Sequence, residues 1–230
     1  MNKALPLVVM IVTPMMAFAQ GMVALQNQTG LVRQRTSSSD PTLIAVPKNG
    51  GYVELMSAPV GTALPNPNLT GFSSLSSFLA ANPGWSFAQG NPAASIIGFG
   101  AGLFNGGALT LQNIPGGARA EYIVAAWSGA FTTYEAAYAA AMANPSASWF
   151  GLSAIDTTLT GNPSSTPPGT PISLRASFTG LTLGPGCLDG YFGGFTAQPT
   201  SQTVVPGATA TFYVGANTCP APYYQWYFNG

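Results

Sequence analysis

Residues 118–127 read ARAEYIVAAW, and this run decides the fold class. Ala118, Ala120, Tyr122, Val124 and Ala126 fall on one face of an extended chain. Arg119 and Glu121 begin the opposite face, and Ile123 and Trp127 continue it. A side-chain period of two is the signature of a strand. The apolar second face predicts that this strand is covered on both sides at its far end.

Working outward, Pro115-Gly116-Gly117 reads as a hairpin turn, preceded by Leu109 and Leu111 alternating with Thr110 and Gln112. On the other side, Thr132-Thr133-Tyr134-Glu135 is a capping-box pattern, with Thr132 at the N-cap and Glu135 three residues on. It predicts a helix over 136–143 that Asn144-Pro145 stops. A weaker helix is predicted over 73–81, closed by Asn82-Pro83-Gly84. In 52–56, Val53 and Leu55 share one face with Glu54 on the other. Ile172, Leu174, Ala176 and Phe178 alternate with Ser173, Arg175 and Ser177, which predicts a half-buried strand. Residues 161–171 (GNPSSTPPGTP) read as a loop. Strand-like runs between frequent turns, with one or two short helices, predict a mainly β chain and a β-sandwich. A jelly roll is the open alternative.

Composition narrows the chemistry. The 230 residues include 6 Lys+Arg, 6 Asp+Glu and no histidine, and charged residues make up 5 %, against about 25 % in an ordinary domain. No histidine means no Ser-His-Asp or Cys-His nucleophile and no imidazole base. Two cysteines alone cannot complete a zinc site. A formal net charge of zero is unlike a protein that grips a phosphate backbone, so no nucleic-acid partner is expected. No cofactor is expected either.

The first 19 residues read as a secretory signal. Lys3 is the basic n-region, 5–16 is apolar, and Ala17-Phe18-Ala19 is an A-x-A cleavage site. The apolar run is shorter than the roughly 20 residues of a membrane span, and no later segment looks transmembrane. Cleavage would leave five basic and six acidic residues, and the expected location is secreted or cell surface. Composition shifts after Leu183, where 184–195 read as a Gly-rich connector. The expected organisation is therefore a signal peptide at 1–19, a β-rich domain at 20–183, the connector, and a last unit at 196–230.

That last unit reads TAQPTSQTVVPGATATFYVGA, then YYQWYFNG. It resembles the start of a bacterial immunoglobulin-like domain of the I-set type. The resemblance assigns Gln198-Pro199 and Val204-Val205 to strands A and A′, Pro206-Gly207 to the turn, 210–214 to strand B and 224–227 to strand C. Trp226 takes the core tryptophan position. Val214 stands where disulfide-bearing members carry cysteine. Asn229-Gly230 is a favoured hairpin pair. The family pattern needs about 100 residues, so 196–230 is expected to be a partial module, strands A to C. More loosely, 21–183 resemble the region preceding such repeats in secreted bacterial proteins. The pieces are GYVEL (51–55), APVGT (58–62), FNGG (104–107) and the AAWSG…TYEAA run over 125–137. This implies location and modularity, not chemistry.

Candidate sites are few. Export permits a disulfide between Cys187 and Cys219, closing a loop of about 30 residues worth about 3 kcal/mol. A glycosidase needs two carboxyls about 5–9.5 Å apart, and Glu121 and Glu135 are the pair that 118–135 could bring together. Each has a plainer role, Glu121 beside Arg119 and Glu135 in the capping box. Isolated acids give no calcium loop, and GFGAG (98–102) lacks the context of a phosphate loop. Trp85, Trp127, Tyr134, Tyr138, Trp149 and Phe150 would form a sugar-stacking platform if exposed, and a sandwich core if buried. Asn27-Gln28-Thr29 and Asn68-Leu69-Thr70 match the glycosylation pattern but mean nothing in a bacterial protein.

The sequence thus predicts an exported, non-enzymatic modular protein serving as scaffold, spacer or adhesion unit toward an unknown protein or polysaccharide ligand. A carbohydrate-binding module accessory to an enzyme is the alternative, and a hydrolase the third. With so few ionisable groups, stability is expected to be nearly flat between about pH 5 and pH 9.

Overall fold

The structure, a computed structural model, describes residues 19–35, 42–90, 93–144, 147–188, 192–218 and 226–227. Strands β1 (Gln20–Gln26), β2 (Val32–Arg35), β3 (Leu43–Ala45) and β4 (Gly51–Pro59) come first. Helix α1 (Leu75–Ala80), β5 (Ser86–Phe87) and β6 (Ser95–Ile96) follow. The long strands β7 (Asn105–Pro115) and β8 (Arg119–Ser128) precede helix α2 (Tyr134–Ala143). Then come β9 (Phe150–Leu152), β10 (Asp156–Leu159), β11 (Ile172–Ser173), β12 (Leu181–Leu183), β13 (Pro185–Leu188), β14 (Phe192–Ala197) and β15 (Gly215–Thr218). The fold is mainly β and of sandwich type; among the described residues, 39 % are strand and 13 % helix, 3-10 turns included.

The central sheet runs β13-β9-β8-β4-β5, with β10 on β8 and β6 on β4. A second sheet, β11-β1-β7, faces it, and a third, β12-β2-β3, adds to the same core. The alternation in 118–127 does what it promised. Ala120, Tyr122, Val124 and Ala126 join Val53 and Leu55 against Val23, Leu25, Leu109 and Leu111 of the facing sheet. Ile123, Ala125 and Trp127 enter a second core beneath α1 and α2. Period two fixes which residues share a face, and here both faces of β4 and β8 are covered.

Four local expectations are corrected. Pro115-Gly116-Gly117 does turn, with Ala118 N donating to Pro115 O at 3.1 Å and Gly117 at φ 82°. However, β7 and β8 lie in different sheets, so the turn is a crossover and not a hairpin. Helix α2 starts one residue later than the capping box proposed. Thr133 is the N-cap, its Oγ1 accepting from Ala136 N at 3.3 Å. Strand 172–178 is only two residues long. Ser173 Oγ accepts from Arg175 N at 3.2 Å and tips 174–176 into a 3-10 turn, which buries Leu174 and Phe178 at a spacing of four. The 184–195 connector begins as β13, paired parallel with β9, and continues into β14.

In the segment that resembles an immunoglobulin-like module, 198–214 form no regular strand. The turn at Pro206-Gly207 is present, with Ala208 N donating to Val205 O at 3.0 Å. Val204, Val205, Phe212 and Tyr213 are exposed, and so are Trp226, at 52 %, and Tyr227. Val214 is half-buried. Apolar strand residues are buried only when a second sheet covers them, and no such sheet lies over these among the described residues. Cys219 and the Cys187 side chain lie outside the described residues, and so does the proposed disulfide.

Asn27 shows how the sheets are tied. It is buried, and its Nδ2 donates to Gly30 O at 2.5 Å and Gly102 O at 2.9 Å, while Oδ1 accepts from Phe104 N at 2.8 Å. The first sequon asparagine is therefore an internal cross-link. Asn27→Ala leaves Gly30 O and Phe104 N without their partner, while Gly102 O keeps its bond from Val32 N, and is expected to cost about 2–3 kcal/mol. Urea unfolding that moves by less than about 0.5 kcal/mol would contradict this role.

Candidate functional site

The clearest concentration of chemistry lies on the outer face of the central sheet, under α2. Glu54 projects from the middle of β4 on the same face as Tyr52, Met56 and Ala58. It is 2 % exposed, and both carboxyl oxygens share one donor, Ala93 N, at 2.8 and 2.9 Å. A cavity of about 100 Å³ opens in front of it. Trp127 and Tyr134 wall this space, and Leu75 and Ala94 close its sides. Thr132, Thr133 and Glu135 come from the start of α2, and no lysine or arginine lines it.

The electrostatics follow from this packing. Burial removes water from the Glu54 carboxyl and disfavours its charge. The Ala93 N–H opposes that effect, and the Glu135 carboxylate adds to it. Together they push Glu54 up to about 7. Asp156 is also raised, mainly by burial, against hydrogen bonds from Thr179. Burial raises Tyr122 and Tyr134 as well; the Tyr122 hydroxyl pairs with Ser177 Oγ at 2.8 Å and the Tyr134 hydroxyl donates to Phe72 O at 3.0 Å. Glu54 and Asp156, both raised by burial, therefore lead us to expect a pH dependence of stability where the scarcity of charges alone predicted almost none.

The carboxyl pairing differs from the one proposed. Glu121 lies at the opposite end of β8 from Trp127 and accepts from Gly61 N at 3.0 Å. Glu135 lines the cavity opposite Glu54 instead. Two carboxyls in unlike environments are the pattern of an acid–base pair. Yet the space is well below the roughly 300–1,000 Å³ of ligand clefts and admits no sugar ring.

The aromatic set is largely internal. Trp127 is 1 % exposed, stacks on Tyr52 at 6.3 Å, meets Tyr134 edge-on at 6.0 Å and donates from Nε1 to Phe131 O at 2.7 Å. Trp85 is buried and donates to Ala63 O at 3.1 Å. Tyr134 and Phe150 are buried, while Tyr138 is half-buried against them. Trp149 packs half-buried against the other core. These residues form no exposed platform, because the second core needs their apolar area.

No family model matches the chain, and no similar curated protein or solved structure is found. Among the described residues, no three metal-ligating side chains cluster, and no helix is long and apolar enough to cross a membrane.

Proposed function

We propose that the chain is an exported, non-enzymatic modular protein, a scaffold, spacer or adhesion unit at the cell surface or beyond. The observation that carries this reading is the fate of its aromatic and acidic side chains. Trp85, Trp127 and Tyr134 are built into the core, and Glu54 and Glu135 meet across a space too small for a sugar ring. The A-x-A site supports export, since β1 starts at Gln20, directly after it. The exposed apolar residues Val204, Val205, Phe212, Tyr213, Trp226 and Tyr227 support a module whose covering partner is an immunoglobulin-like sheet. Purified chain is expected to turn over no glycoside or ester substrate above buffer. Turnover that Glu135→Gln abolishes would replace this reading with the hydrolase.

A polysaccharide-binding role has one observation in its favour. An open groove of about 280 Å³ runs between β10 and β11, the outer strands of the two facing sheets. Exposed Arg119 stands beside Thr157, Leu159, Ile172 and Ser173 there. A guanidinium among hydroxyls and apolar carbons suits a carboxylated sugar. Under this second reading, uronic-acid glycans on an array bind the wild-type chain and not Arg119→Ala. Equal binding by both proteins, or none by either, removes it.

A further inference from the structure

We propose that the end of the fold formed by the β2–β3 pair and the loop 97–103 docks on the surface of an anionic lipid bilayer, with Phe99 entering the interface. Such docking does not depend on the scaffold reading. In an exported scaffold it would be the hold on a membrane.

Three of the chain's six cations, Arg33, Arg35 and Lys48, fall within 33–48. Period two puts Arg33 and Arg35 on one face of β2, and the register sets Leu43 opposite Arg35 and Ala45 opposite Arg33. Val32, on the other face, is buried in the core, so the arginine face is turned outward. Arg33 and Leu43 are exposed on it, and Ile44 is exposed at the edge of the sheet. Lys48 is exposed in the turn after β3. Among the described residues, no carboxylate belongs to β2, β3, the turn 46–50 or the loop 97–103; Asp40 lies outside them.

The loop is tied to this hairpin. Asn49 N donates to Ile97 O at 2.8 Å, Gly102 N to Val46 O at 2.7 Å, and Val32 N to Gly102 O at 3.1 Å. Gly102, at φ 68°, lies so close that a Cβ there would meet Val32 O at 2.8 Å and Ala45 Cβ at 3.3 Å. Phe99 N donates to Leu103 O at 3.2 Å and closes the tip. Ile97 and Phe104, at the two ends of the loop, are buried, yet Phe99 between them is 67 % exposed. A hydrogen-bonded loop thus holds a phenyl ring in solvent, beside the turn that carries Lys48.

Cations next to exposed apolar side chains decide the kind of partner. A polyanionic glycan uses the cations and has no use for Leu43, Ile44 or Phe99. An anionic bilayer uses both, since its headgroups attract the cations and its interface takes aromatic and aliphatic side chains. One cation near such a surface changes partitioning about fivefold. Burying the exposed ring of Phe99 changes it about tenfold.

Co-sedimentation with phosphatidylglycerol vesicles and with phosphatidylcholine vesicles is measured on the chain from Gln20 onward, so that the apolar leader adds no binding of its own. Far-UV circular dichroism first matches each protein to the full chain; should the shortened chain differ, variant-to-wild-type ratios are read on the full chain. The wild-type protein is expected to bind phosphatidylglycerol and not phosphatidylcholine. Lys48→Gln lowers its bound-to-free ratio about fivefold, and Phe99→Ser about tenfold. Arg175→Gln, an equal loss of charge on the 3-10 turn after β11, changes it less than about twofold. No binding of phosphatidylglycerol, binding that Phe99→Ser leaves unchanged, or equal losses in Lys48→Gln and Arg175→Gln overturns the proposal. The second of these outcomes would mark a polyanion site read by charge alone.

Discussion

Replacing Trp127 by alanine is expected to cost about 3–5 kcal/mol, the range for emptying a large buried aromatic site. The indole is 1 % exposed and lies where three elements meet. Tyr52 stacks on it from β4, Tyr134 touches it from α2, and its N–H satisfies Phe131 O in the loop between β8 and α2. Removing it empties the middle of the second core and leaves that carbonyl unpaired. The sheet has little room to collapse, because β8 is held by β4 on one side and by β9 and β10 on the other. Trp127→Phe should cost less, since the ring volume is partly kept. Denaturant unfolding monitored by far-UV circular dichroism measures both. A loss below about 1 kcal/mol for the alanine variant would mean that α2 does not rest on Trp127.

The second large effect is a dependence on pH with an unusual sign. The folded chain holds the Glu54 proton up to about 7, whereas the ordinary value is 4.5. Below about pH 4.5 both folded and unfolded chains carry the proton, and the group's stabilising contribution is complete. Between these values the unfolded chain ionises and the folded chain does not, so stability falls as pH rises. Above 7 the contribution is lost, a total change of about 3 kcal/mol. Asp156, also raised by burial, adds in the same direction. Glu54→Gln keeps the shape and an oxygen for Ala93 N but cannot ionise. It is expected to match the wild-type chain near pH 4.5 and to exceed it by about 2–3 kcal/mol near pH 8. Parallel pH profiles for the two proteins would show that Glu54 is not the group responsible.

The contrast between these two residues shows what the sequence made legible. Trp127 belongs to a run whose alternation places it opposite Val124 and Ala126. Its burial beneath a helix follows from that pattern and from the cap at 132–135. Glu54 misleads because a charged residue between Val53 and Leu55 reads as the wet face of a half-buried strand. The available signal was its own face, where Tyr52, Met56 and Ala58 are apolar and no neighbour is charged. An acid on such a face is either exposed by an uncovered sheet or buried with its titration displaced. Helix α2 decides which, and it reaches Glu54 from about 80 residues away in the chain, a long-range contact that local pattern does not encode. The same limit explains the turn at 115–117. Gly117 dictates a reversal, but nothing local states whether the next strand returns to the same sheet or crosses to the facing one. At 172–178 the period-two alternation coincided with a spacing of four, and the Ser173 cap selected the turn.

The scaffold reading requires export, and the start of the mature chain tests that requirement most directly. Full-length protein expressed with its own leader in a bacterium that secretes is recovered from the medium or the outer surface, and its N-terminus is read by mass spectrometry. The account predicts a chain beginning at Gln20, the first residue of β1. Protein retained in the cytoplasm and still beginning at Met1 would contradict it.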